Sequence, residues 1–325
     1  MRAAWYEKTG PASKVLVVGE LPDPTPGPGE VLVRVRYSGV NPGDAKKREG
    51  WQGGPMPYPR VIPHSDASGV IDAVGAGVDA ARVGRRVWVH GAQSYRPFGT
   101  AAEYVVVPGD LAVDLPDGVP DTQGACLGIP GITAHRAVFA DGPVVGLTVL
   151  VQGVHGAVGR LAAQLARRAG ARVIGTIRKR QDFLDVESGT ADHVVGLGSE
   201  ARERIAKLAP DGVHRIIEVA FAANLKLDAA VAAPGATIAA YGTDDPKPRL
   251  PFWPMLFDNL VIRLLGSDDF PVEAKRAAAA DLTAAASEGA LPTPIRKPLR
   301  LARIAKAHDL VESGIRARVL IDPTA

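Results

Sequence analysis

The sequence predicts an α/β protein in which a mostly β N-terminal portion is followed by a doubly wound parallel sheet, and three observations predict it. The first third consists of short β-rich runs punctuated by Gly and Pro. From about Gln123 onward, apolar strands alternate with Ala-rich helices, which is the rhythm of βαβ units. At the first strand-to-helix junction of that second portion stands "QGVHGAVGR", with Gly153, Gly156 and Gly159 spaced three apart. The expected division is residues 1–122, residues 123–288, and a tail of residues 289–325 that returns to the first portion.

A chain of 325 residues that is 46% hydrophobic can build two domains with cores of their own. No apolar run approaches the roughly 20 residues of a membrane span, and "MRAAWYEKTG" lacks the apolar stretch of a signal peptide. No membrane association and a cytoplasmic location are therefore expected. The formal charge of +3 is small and scattered, so nucleic acid is not an expected partner. Cys126 is the single cysteine, which excludes an intrachain disulfide and any zinc site built from several thiolates. Its apolar neighbours make an inert, buried thiol the expected state.

In the first portion, "VLVVGEL", "EVLVRVRYSGV", "ASGVIDAVG", "RRVWVHG" and "AAEYVVVPG" read as strands of a mostly antiparallel sheet. "LPDPTPGPGE" has four prolines in ten residues and reads as an extended loop. In the second portion, "TVLVQ", "ARVIGTI", "HVVGL", "RIIEVA", "ATIAAYG" and "LVIRLLGS" are the expected strands, covered by helices on both faces. An Ala-rich helix spans about Ala274 to Ser287, and the tail holds one more helix and one more strand.

After Gly159 the apolar residues Leu161, Ala162, Leu165 and Ala166 recur at helical spacing, so the glycines mark a strand-to-helix turn. In such a turn, glycines let backbone approach a pyrophosphate whose charge is met by N–H groups at the helix N-terminus. A glycine-rich turn also serves packing alone, but the strand before, the helix after and the βαβ units downstream favour a dinucleotide. The next strand, "ARVIGTI", ends without the Asp or Glu that holds the adenosine ribose in NAD sites. Arg178, Lys179 and Arg180 follow instead and suit the 2′-phosphate of NADP, although such a cluster can also be a solvated turn. NADPH is the expected cofactor. Tyr241 and Gly242 end a later strand at the carboxyl edge, where open α/β sheets bind ligands.

"PGPGEVLVRVRYSGVNPGD", "IPHSDASGVIDAVG", "VQGVHGAVG" and the ending "AHDLVESGIRARVLIDP" together resemble the medium-chain dehydrogenase/reductase family. Within it they resemble the zinc-free quinone oxidoreductase branch that includes zeta-crystallin, nearly end to end. The resemblance implies a GroES-like, mostly β catalytic domain and a Rossmann dinucleotide-binding domain. It implies that Asn41 of "GVNPGD" and Thr133 of "PGITAHRA" reach the nicotinamide, and that Trp51 falls near an aromatic lining the substrate pocket. Cofactor contacts are implied for Gly153, His155, Gly156, Ala157, Val158, Gly159 and Thr176, and for Arg318 of "RARVLID" at the place of a cofactor-side lysine. Blander roles stay open: Asn-Pro-Gly-Asp is a turn signature with Asp44 as the expected helix N-cap, and Thr133, Trp51 and Arg318 can serve packing. His64 stands where the family carries glycine, and His155 and Ala157 depart from the branch's loop.

Zinc alcohol dehydrogenases of this superfamily take catalytic ligands from a Cys after Gly-Val and from a Gly-His-Glu segment. Here those places hold Asn41 and His64-Ser65-Asp66, with the histidine one residue out of register. Three protein ligands cannot be assembled, so no metal is expected and His64 is expected to be a hydrogen-bonded structural histidine. With no zinc to stabilise an alkoxide, reduction is the implied direction: hydride passes from NADPH to a quinone or an activated α,β-unsaturated carbonyl. Asn41 is the expected donor to the acceptor oxygen. An enoyl reductase of acyl thioesters and a non-enzymatic NADPH-binding structural or sensor protein remain the alternatives. "LVIRLLGS" resembles the edge strand through which relatives pair, so a homodimer is expected.

Overall fold

The computed structural model describes residues 1–51, 54–178 and 189–325. They form two compact units, one of Met1–Ile129 with Ala279–Ala325 and the other of Pro130–Ala278. The helices Gly128–Phe139 and Val272–Ser287 each run across one boundary between the units.

The first unit is organised by the long strand Glu30–Val40, which pairs antiparallel with Asp66–Val74. Its other edge is shared by Tyr104–Pro108 at the beginning and Val319–Asp322 at the end. Val31, Val33 and Val35 are fully buried while Leu32 and Arg34 are half-buried, the period of two that a one-sided sheet demands. Each buried valine contributes about 1.5–3 kcal/mol. The pairing of Val319–Asp322 brings the tail into this unit and sets Arg318 beside the end of the long strand.

Some elements differ from the sequence expectations. "VLVVGEL" does not form one strand, because Val15 closes the short helix Ala12–Val15 and the strand is Val17–Glu20. Its antiparallel partner is Arg2–Trp5, in a stretch not expected to be a strand. The N-cap of the helix Pro42–Glu49 is Asn41, not Asp44. Asp44 is its third residue and makes the return bond of a capping box, its Oδ2 accepting the Asn41 N–H at 2.7 Å.

In the second unit, six described strands lie parallel in the order His193–Gly196, Arg172–Ile177, Thr148–Val151, Val213–Glu218, Ala232–Ala240 and Val261–Leu264. In chain order this is 3-2-1-4-5-6, so winding reverses between Thr148–Val151 and Val213–Glu218. The crevice at the carboxyl ends of those two strands is where a doubly wound sheet binds its ligand. Val149, Leu150, Val151, Ile174, Ile216, Ile217 and Ile238 are wholly buried, as expected of strands covered on both faces. The helix Ala157–Arg168 buries Leu161, Ala162, Leu165 and Ala166. The helix Phe252–Phe257 was not anticipated. No helix among the described residues is long and apolar enough to cross a membrane.

Candidate active site

The glycine loop sits at the winding reversal, and its backbone takes shapes that side chains would forbid. Gly153 has φ +70°, and a Cβ there would stand 3.0 Å from Val219 Cγ1. A Cβ on Gly159 would stand 2.5 Å from the Gly153 carbonyl oxygen, so the first helical turn packs on the loop more closely than any side chain permits. Gly156 donates its N–H to the Gly153 carbonyl at 2.9 Å and caps the helix that begins at Ala157. The N–H groups of Ala157, Val158 and Gly159 lie in its first turn, where a helix offers no internal acceptor and carries partial positive charge. Gly156 is exposed while His155 is buried, so the histidine does not cover the open part of the loop. This donor set is made of bare backbone and fits a pyrophosphate.

Behind the loop runs a fully buried polar chain that sequence reasoning did not find, apart from Thr176. The Gly153 N–H donates to Thr176 Oγ1 at 3.2 Å, the Thr176 hydroxyl donates to Gln152 Oε1 at 2.6 Å, and Gln152 Nε2 donates to Asp228 Oδ1 at 2.7 Å. Glu218 ends the fourth strand in chain order, and its Oε1 accepts the Ala220 N–H and Asn224 Nδ2, the latter at 3.2 Å. Burial raises both carboxyls above the usual carboxylate range, and for Asp228 the neighbouring Glu218 adds to the shift. Tyr241 donates its N–H to the Glu218 carbonyl at 3.0 Å, and burial, helped by Glu218, raises its phenol. A Cβ on Gly242 would stand 2.5 Å from the Val219 carbonyl oxygen. Arg178 is exposed just past the end of its strand, whereas Lys179 and Arg180 lie outside the described residues.

The first unit gathers Asn41 and Arg318 around Asp66, all three buried. Asn41 Nδ2 donates to Asp66 Oδ2 at 2.7 Å, and Asn41 Oδ1 accepts from Arg318 Nη1 at 2.8 Å. Arg318 also donates to the Val40 carbonyl at 3.2 Å, with its Nη2 3.6 Å from Asp66 Oδ2. The other oxygen, Asp66 Oδ1, accepts the Ile129 N–H at 2.7 Å, at the start of the helix Gly128–Phe139. A Cβ on Gly128 would lie 2.1 Å from that oxygen, so the carboxylate requires glycine there. Arg318 is thus engaged by Asp66 and Asn41, a partnership that its spacing in the sequence does not reveal. Asp44, beneath Asn41, is pushed up to about 7 by burial, against the Asn41 N–H bond that favours its charge.

The remaining candidates separate. Trp51 is 53% exposed, with Lys46 Nζ 5.6 Å above its ring. Thr133 is buried in the helix Gly128–Phe139 and belongs to the second unit. His64 is buried with φ +76°, its Nδ1 2.8 Å from Ser38 Oγ and its Nε2 3.0 Å from His308 Nε2. Burial drives both imidazoles toward the neutral form, His64 well below its ordinary value and His308 to about 3. Cys126 donates its thiol to the Thr122 carbonyl at 3.2 Å and is raised by burial to about 11. Among the described residues, no three His, Cys, Asp or Glu side chains are grouped to hold a metal ion. A groove of about 380 Å³ within the first unit, lined by Val119, Gln123, Leu291 and Ile295 among others, contains none of the candidate residues.

Residues 27–117 match the family model described as the alcohol dehydrogenase GroES-like domain, and residues 157–278 match that described as zinc-binding dehydrogenase. The quinone oxidoreductase of Homo sapiens is 30% identical over 320 residues, covering 97% of this chain and 94% of its own. A solved NAD-dependent alcohol dehydrogenase superposes with a TM-score of 0.88 at 26% identity, covering 99% of each chain. A mycobacterial protein solved with NADPH does so at 0.84 and 26%, covering 99% of this chain and 100% of the other. With both domain models matched in order and a relative aligned over nearly its whole length, the chain belongs to the quinone oxidoreductase branch of the medium-chain dehydrogenase/reductase family and is an oxidoreductase of the nicotinamide-binding type.

Proposed function

We propose that this oxidoreductase uses NADPH to reduce quinones or activated enones without a metal ion. The observation that carries the reading is the bare-backbone cradle of Gly153, Gly156 and Gly159 at the winding reversal, where a Cβ on Gly159 would stand 2.5 Å from the Gly153 carbonyl. The backbone from Gly156 to Gly159 would hold the pyrophosphate, Thr176 and Gly242 would border it, and Arg178 would meet the 2′-phosphate. Bound NADPH supplies the hydride; the protein supplies orientation and hydrogen bonds. Asn41 Nδ2 has a second N–H beyond the one given to Asp66. That group is our candidate to meet the acceptor oxygen as negative charge builds there, with Thr133 assigned to the carboxamide.

The human relative is named a quinone oxidoreductase, while the two structural neighbours are associated with NAD and NADPH respectively. Cofactor choice therefore rests on the strand end, where no acid follows "ARVIGTI" and Arg178 is exposed. Titration with both cofactors, followed by turnover with 1,4-benzoquinone, 9,10-phenanthrenequinone and crotonyl thioesters, tests the reading. Tighter NADPH binding and quinone turnover support it. Equal affinity for the two cofactors, or turnover confined to thioesters, overturns it.

We also propose a homodimer. Val261–Leu264 is one edge strand of the parallel sheet among the described residues, with Leu264 73% exposed, and the preceding helix exposes Phe252, Trp253 and Phe257. An apolar edge of this kind associates if left bare, and a two-fold pairing of like edges covers it.

A further inference from the structure

Glu218 and Asp228 are buried carboxyls in the second unit for which hydride transfer has no evident use. Each shifts the other's titration through a side-chain interaction. Glu218 Oε1 and Asp228 Oδ1 accept N–H groups, from Ala220 and Asn224 and from Gln152, respectively. Glu218 Oε2 and Asp228 Oδ2 are buried with no N–H or O–H partner. Two ionised carboxylates in this place would confront each other with acceptors only, an arrangement with a large desolvation and repulsion cost. One proton on the pair would remove the conflict by supplying an O–H donor where both carboxyls otherwise offer only acceptors.

We propose that Glu218 and Asp228 share one proton and act as positioning residues for the cofactor loop, so that loss of this proton weakens dinucleotide binding. The path is continuous: Asp228 fixes the Gln152 carboxamide, Gln152 orients the Thr176 hydroxyl, and Thr176 accepts the N–H of Gly153, whose left-handed backbone opens the loop. Gln152 is doubly set, because its own N–H also donates to the Ile217 carbonyl at 2.9 Å. The groups facing the pair from neighbouring elements are Gln152 just past the first strand of the sheet in chain order, Asn224 from the helix after Glu218 and Tyr241 just past the fifth strand. Of these only Tyr241 titrates, and its phenol is held neutral by burial. Deprotonation would leave two charges side by side within the path and add negative potential behind the pyrophosphate.

The inference rests on the reading of the second unit as a nicotinamide dinucleotide site, and the experiment separates the two. Dissociation constants of NADPH and NADH are measured on the full chain from pH 7 to 10, above the titration of the 2′-phosphate. For the wild type, the constant should rise up to tenfold per pH unit once the proton leaves. Glu218→Gln and Asp228→Asn each place a permanent N–H where the shared proton lies, with the same net charge as the protonated pair, so both should bind with a flat profile. Asp228→Ala, which loses the anchor of Gln152, should bind at least tenfold more weakly at every pH. A purely structural pair would shift melting temperatures among these variants yet leave the wild-type binding profile flat. Cofactor binding with a pH profile unchanged by Glu218→Gln overturns this inference alone. Absence of binding to either cofactor at every pH overturns the cofactor reading, and this inference with it.

Discussion

Replacing Asn41 by alanine separates a structural role from a chemical one. The substitution removes two buried hydrogen bonds to charged groups, at 2.7 Å to Asp66 and 2.8 Å from Arg318. Each such bond contributes about 1.5–3 kcal/mol. The losses overlap, because Arg318 Nη2 already lies 3.6 Å from Asp66 Oδ2 and can close part of the gap. A net destabilisation of about 2–4 kcal/mol is expected, read as a lower urea midpoint at unchanged slope. Removing a principal oxyanion donor costs a further 2.7–4 kcal/mol or about two to three decades in turnover, less for an electron-poor acceptor. Asn41→Ala should therefore keep NADPH affinity within a few-fold, lose little turnover with ortho-quinones and lose most with simple enones. If rates fell equally for every acceptor while NADPH binding weakened, Asn41 would serve only its cluster and turn, and the proposed donor role would be wrong.

Arg178→Ala should reduce the preference for NADPH over NADH by about one to two decades, the worth of one charge-assisted contact to phosphate, as measured by titration with both cofactors. Gly159→Ala puts a methyl 2.5 Å from the Gly153 carbonyl oxygen, so the loop must move. A stability loss of about 1–3 kcal/mol and at least tenfold weaker cofactor binding are expected, and unchanged affinity would contradict the cradle. His64 and His308 are neutral when folded but protonate when unfolded below about pH 6.5. Their contribution is therefore present above that pH and lost as pH falls toward the folded values, by about 1.4 kcal/mol per pH unit for each imidazole. Melting temperatures of the wild type and His308→Gln should converge between pH 6.5 and 4. Leu264→Lys should give a monomer by light scattering at micromolar concentration, and an unchanged assembly mass would remove the edge strand from the dimer proposal.

The second unit was legible because buried parallel strands are written as unbroken apolar runs, and "TVLV", "RVIGTI" and "HVVG" fall on its strands. Arg2–Trp5 was not, because it has four residues and its partner Val17–Glu20 is exposed or half-buried, so neither carries a clear alternation. "FWPMLF" has apolar residues on every side and a proline third, so no helical period marks it.

The site divides along a similar line. The glycine loop acts through backbone, and backbone demands appear in sequence as glycine spacing. The Asn41, Asp66 and Arg318 cluster is assembled instead by strand register: Gly39 lies opposite Asp66, and Val40 opposite Val319. Register depends on pairing between distant strands, so no local pattern places these three side chains together. Glu218 is different, because "RIIEVA" is a buried strand carrying one acid, and a lone charge in such a run must be paired, hydrogen-bonded or neutralised. That requirement points to a partner within the next packed element, and Asp228 lies in the helix Phe221–Val231 that follows directly. Asp228 is the eighth residue of that helix, about two turns in. An acid within that helix was a legible candidate partner for Glu218.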